Sequence, residues 1–153
     1  MPKHHIASGA LIAEGAKIGI SSPPRQFLDR AHGLLVGLEA LALLGPRQAE
    51  AAIFLASWCL ELNLKAHLEF KGRTKDKLRP LQHNLAALWT KASDHGLPVP
   101  ATPPYWCALI SQTHNRPFHQ RYPTDAAAYS APNIQLLVVE LTALHNLVAQ
   151  SLQ

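Results

Sequence analysis

The sequence predicts an all-α fold: an antiparallel bundle of about five helices around a central, buried second helix. Three observations predict it. Apolar residues recur three and four positions apart in successive segments, which is the period of a helix with one buried face. The run Ala51–Phe70 is apolar almost all round, as a helix enclosed on several sides must be. No segment alternates convincingly and no internal repeat is present. The 153 residues suit one domain. Residues 1–22 read as a loose N-terminal arm and 23–153 as a single helical domain.

The elements follow in order. Met1–Ser22 is weakly patterned and punctuated by Gly9, Gly15 and Gly19. Ser21-Ser22-Pro23-Pro24 marks a helix start, because proline is tolerated in the first turn. Phe27, Ala31, Leu34, Leu35, Leu38, Leu41 and Ala42 then keep helical spacing until Gly45-Pro46. A second helix is expected from about Arg47 to Phe70, ended by Gly72, with Ile53, Phe54, Leu55, Trp58, Cys59, Leu60, Leu62, Leu64 and Leu68 covering most of its circumference. Lys71–Arg79 reads as a solvated basic loop. A third helix starts near Pro80–Asn84, with Asn84 as a candidate cap, and stops near Gly96. Four prolines make Leu97–Pro104 a stiff connector. A short fourth helix over Tyr105–Thr113 is followed by the loop His114–Pro123. The last helix begins near Pro132 and buries Ile134, Leu137, Val138, Leu141, Leu144 and Val148.

Composition narrows the function classes. Charged residues are 16% of the chain, against roughly 25% in an average globular protein. Such a surface is often partly covered by a partner. A net charge of +4 admits a nucleic-acid or nucleotide partner without requiring one. Cys59 and Cys107 form no C-x-x-C pair and read as core residues in a reducing compartment. Ala7–Ala13 is too broken for a signal-peptide core, and no run reaches the roughly 18 apolar residues of a membrane span. A cytoplasmic protein without membrane contact is expected.

The residues suited to chemistry gather in His114–Pro123. This loop holds His114, Asn115, Arg116, His119, Arg121 and Tyr122. Arginine presents a planar fork to phosphate, and histidine exchanges protons near neutral pH. A polar loop pinned by prolines is the plainer reading. Glu61 and Lys65 stand four apart in the order that favours an ion pair, either as a surface pair or as a support for the loop. His83 reads as a local hydrogen-bonding residue, His145 as a half-buried, satisfied one. Trp58, Trp89 and Trp106 read as core. His4-His5 sits on the arm, and no His/Asp/Glu set shows metal-ligand spacing, so neither a metal nor a cofactor is expected.

Several of these pieces resemble one family. Glu61-Leu62-Asn63-Leu64-Lys65-Ala66 is similar to the E-L-x-L-K-A helix of HEPN-type domains (higher eukaryotes and prokaryotes nucleotide-binding). Gly72, the basic stretch Lys71–Arg79 and His83-Asn84-Leu85 resemble the glycine-ended helix, basic loop and H-D-L helix start of that family. Arg121-Tyr122-Pro123 is similar to the R-Y-P before its final helix. The resemblance runs from about Ala51 to the C-terminus.

It implies a four- or five-helix bundle that forms a homodimer and works with RNA or nucleotides. Some members are metal-independent ribonucleases of toxin–antitoxin or defence systems. Others are inactive binding domains, often with a nucleotidyltransferase partner protein. Active members carry an arginine and a histidine separated by four to six residues. Here Arg116 and His119 are separated by two, Arg121 has no such histidine, and His114 precedes Arg116. The expectation is a non-catalytic domain binding a nucleotide, RNA or partner protein through the Arg/His loop. The alternatives are a metal-independent endoribonuclease using His119, Arg116 and Arg121, or a purely structural assembly module.

Overall fold

Among the residues described by the computed structural model (21–116, 118–122 and 130–153), every regular element is helical. Nearly all of the N-terminal arm, with His4 and His5, lies outside them, as do Pro117 and Pro123 of the loop. The α-helices are α1 (Pro23–Ala42), α2 (Ala49–Phe70), α3 (Lys75–Leu78), α4 (Leu85–Asp94), α5 (Tyr105–His114) and α6 (Ile134–Ser151). Among the described residues no helix is long and apolar enough to cross a membrane.

Helix α2 is the hub, because it packs against α1, α4, α5 and α6. Twelve of its 22 residues are buried, against four of 20 in α1. Leu60, Leu64 and Leu68 have no accessible surface. Full burial of each such side chain favours the fold by roughly 1.5–3 kcal/mol. From α1 come Leu28, Ala31, Leu35 and Leu38, and from α6 Leu137, Leu141, Leu144 and Val148. Cys59 and Cys107 are buried in the same core as free thiols, and burial pushes both up to about 12.

Helix ends follow local chemistry. Gly72 adopts φ +76, a region costly for L-residues with a Cβ. It lets Arg73 N–H donate to Leu68 O and Gly72 N–H to Glu69 O, closing α2 in a Schellman turn. Asn84 Oδ1 caps α4 by accepting from Ala87 N–H at 3.0 Å, and Asn133 Oδ1 caps α6 by accepting from Leu136 N–H at 3.1 Å. Leu97–Pro104 is non-helical as expected and is tied down by Trp89, whose indole N–H donates to Pro100 O at 2.8 Å.

Four expectations are refined or corrected. The α-helical part of the second helix begins at Ala49, after a 3-10 turn over Pro46–Gln48. Phe54 on that helix is 37% exposed and borders a shallow hollow with Arg30, Gly33 and Leu34 of α1. Lys71–Arg79 is not wholly loop: it contains α3 and runs into a 3-10 turn over Arg79–Leu81, anchored by buried Leu78. The third expected helix, placed near Pro80–Asn84 with Asn84 as its cap, begins at the end of that range: Asn84 is the N-cap and Leu85 the first residue, after Gln82 at φ +43.

Candidate functional site

Two polar stripes interrupt the apolar surface of α2, each at four-residue spacing. Cys59, Asn63 and His67 form one, and Ser57, Glu61 and Lys65 the other. The first is structural. Asn63 Nδ2 donates to Cys59 O at 2.9 Å, and its Oδ1 meets His145 Nδ1 at 2.9 Å. His67 lies between Ser151 Oγ at 2.9 Å and His95 O at 3.2 Å. Burial lowers the pKa of both His67 and His145, so both favour the neutral form.

The second stripe builds the candidate site. Glu61 is 1% exposed, so it is not a member of a surface pair. Lys65 Nζ donates to Oε1 at 2.5 Å. Oε2 faces two histidines from different elements: His83 Nδ1 at 2.9 Å and His114 Nε2 at 2.6 Å. Burial alone would raise the Glu61 pKa. The His114 hydrogen bond, the Lys65 charge and hydrogen bond, and the His83 hydrogen bond outweigh it and hold the carboxyl at about 2. Glu61 is therefore a carboxylate at neutral pH, kept in the core by its donors.

His114 is the last residue of α5 and wholly buried, where the sequence suggested the first residue of a polar loop. Its orientation is fixed at a distance. Ser57 Oγ donates to Ile53 O, and Thr113 Oγ1 to Ile110 O. Both hydroxyls then accept from Gln120 Nε2, at 3.0 and 2.9 Å. This fixes the amide with Oε1 towards His114 Nδ1, 3.4 Å away. His114 thus directs Nδ1 at Gln120 and Nε2 at Glu61.

Arg121 closes the site on its outer side. Its guanidinium lies over Trp58 at 4.9 Å and over Phe118 at 5.2 Å. Arg121 Nη2 is 3.5 Å from His83 Nδ1, a proximity and not a strong hydrogen bond, because Glu61 takes that nitrogen's proton. Trp58 also meets the rings of His83 and His114 edge-on, so it is a wall of the site and not plain core. Trp89 and Trp106 are core, packed edge to face. Beside the cluster, Lys65, Lys75, Arg79, Gln82 and His83 line a hollow of about 570 Å³, with Asp76 on its wall. Gln82, immediately before His83, holds φ +43 and ψ −109, a strained conformation for a residue with a Cβ.

The loop residues divide. Arg121 and His114 join the Glu61 cluster. Arg116 and Tyr122 are exposed, Asn115 accepts a turn bond from Phe118 N–H through its backbone carbonyl, and none of these three takes part in the contacts around Glu61. His119 is partly buried, and its Nδ1 is enclosed with no hydrogen-bond partner among the described residues. The set Glu61, His83 and His114 was hidden in the sequence, because its members lie 22 and 31 positions apart; its ligating atoms all fall within 4.8 Å of one another. No family model, curated protein or solved structure matches this chain, so its function rests on this geometry.

Proposed function

We propose that this chain is a non-catalytic HEPN-type helical domain that binds a nucleotide or RNA at the face formed by Arg121, His83 and the adjoining basic hollow. One observation carries the reading. Residues from the three sequence pieces that resemble the family, Glu61 with Lys65, His83, and Arg121, are far apart in the chain yet meet in one cluster. Glu61 turns no charge outward there. It holds Lys65 and His83, while Arg121 remains exposed and braced on Trp58 and Phe118. A braced guanidinium beside a basic hollow suits phosphate oxygens, and the aromatic edges offer contact to a base.

The reading includes a homodimer. Between α1 and α6 lies an apolar hollow lined by Val36, Leu43, Val138 and Val139, suited to a second copy. Val36, Leu43 and Val139 are more than half exposed in the single chain.

The test is a fluorescence-anisotropy titration with labelled single-stranded RNA and with a labelled adenine nucleotide. Binding that weakens as salt rises is expected, with at least a tenfold loss in Arg121→Ala and an unchanged circular-dichroism spectrum. Absence of binding to both ligands overturns the reading. Metal-independent cleavage of the RNA, abolished in His119→Ala, overturns its non-catalytic part.

A further inference from the structure

The same cluster has a second chemical capacity, independent of the nucleotide or RNA reading. The geometry points to a binding site for one transition-metal dication of the zinc class, with Glu61 Oε2, His83 Nδ1 and His114 Nε2 as ligands. Two imidazole nitrogens and one carboxylate oxygen are a donor set that zinc accepts, with a fourth position left for water or an anion. The three atoms already converge. Oε2 lies 2.9 Å from His83 Nδ1 and 2.6 Å from His114 Nε2. Tetrahedral zinc with bonds of roughly 2.0–2.2 Å needs its ligand atoms about 3.3 Å apart. An outward shift of less than about 1 Å on each side therefore makes room for the ion.

The surroundings orient the ligands as outer-shell groups do in metal sites. Gln120, locked by Ser57 and Thr113, turns its oxygen towards His114 Nδ1, so that Nδ1–H can donate there once a metal ion displaces the Nε2 proton that now faces Glu61. Lys65 holds Oε1, which also lies 3.1 Å from His83 Nδ1, and Oε2 is the oxygen that both histidines reach.

Lys65 and Arg121 touch the cluster and oppose a dication most directly, with Lys75 and Arg79 in the adjoining hollow beside Asp76, and the two nearer charges can be accommodated. Lys65 is paired with the other carboxylate oxygen and is 17% exposed, so water and Glu61 together offset its charge. Arg121 is exposed and sits outside the three ligands, where its guanidinium can hold an anion at the fourth position. These charges weaken the site relative to an all-neutral surround, and micromolar affinity is the expected range.

The experiment uses the full chain stripped with EDTA. Zn²⁺ is titrated against a chromophoric chelator at pH 7.5, and Co²⁺ is added separately as a spectroscopic probe. Binding of one ion per chain with Kd near or below about 10 µM is expected, with visible Co²⁺ bands of a four- or five-coordinate site. His83 is partly exposed, so His83→Asn should fold and should weaken Zn²⁺ binding at least tenfold. A His4→Gln/His5→Gln variant should bind as the parent chain does. Failure to bind one equivalent, undiminished binding in folded His83→Asn, or loss of binding in the His4/His5 variant overturns the proposal. If His83→Asn does not fold, the Co²⁺ spectrum of the parent chain decides: an octahedral, water-like spectrum overturns it.

Discussion

Replacing Glu61 with glutamine removes one charge and almost no volume. In the folded chain that charge holds His114, which has no accessible side-chain surface, together with Lys65 and His83, which are 17% and 24% exposed. Removing one partner of a buried pair typically costs about 3–5 kcal/mol. Lys65 and His83 can turn partly to water, and the new amide still offers one acceptor. The lower end, about 3 kcal/mol, is therefore expected for Glu61→Gln. A 153-residue domain has roughly 8–23 kcal/mol of stability, so the variant should fold. Its midpoint should fall by about 6–12 °C.

Urea denaturation at pH 7.5 in chelator-treated buffer measures the loss, with Lys65→Met beside it. The lysine lies at the solvent edge, so its removal should cost only about 1 kcal/mol. Glu61→Gln within about 0.5 kcal/mol of the parent chain would refute the reasoning. So would a Lys65→Met loss as large as that of Glu61→Gln.

Other consequences follow from the same contacts. Gly72→Ala places a Cβ at φ +76 and should cost about 1–2 kcal/mol in urea denaturation; no loss would mean that the Schellman turn does not form. Gln82→Gly should stabilise by up to about 1 kcal/mol by relieving φ +43, and a clear destabilisation would place a needed contact in the side chain. Burial lowers the pKa of His67. His145 is lowered by burial, then by His32 and Arg25, against Asp29. Below about pH 6.5 the unfolded chain binds protons that these folded histidines resist. Their contribution is thus fully present above that pH and is lost as pH falls towards their lowered folded values. The fall in urea midpoint from pH 7.5 to 5.5 should be shallower in His145→Gln than in the parent chain; an equal or steeper fall contradicts the assignment.

Much of the fold was legible because it rests on local rules. Gly72, Asn84 and the prolines of Leu97–Pro104 act within a few residues of their own positions, and the stripe Ile134 to Val148 has an unmistakable period. The site was legible only in fragments. Glu61 and Lys65 look like an ordinary surface pair from their spacing, since a stripe of four-residue period reads the same on a solvated face and on a buried one. The informative signal was that Ser57, Glu61 and Lys65 interrupt a largely apolar helix enclosed by several neighbours, which leaves a carboxylate little access to water. His83 and His114 carry no local sign of each other, because their meeting depends on how α4 and α5 pack against α2. Trp58 misled for a related reason: it stands in a largely apolar stretch, but its ring faces histidines from two other elements.

The most direct test of the account compares Arg116→Ala with Arg121→Ala. The two arginines are five positions apart in one loop and equal in charge, so composition and net electrostatics cannot separate them. Only Arg121 is braced on Trp58 and Phe118 beside His83. RNA and nucleotide titrations at fixed salt should show at least a tenfold loss for Arg121→Ala and less than about a threefold loss for Arg116→Ala, the size expected of one exposed charge. Equal losses, or the reverse order, would contradict a binding face organised on Glu61.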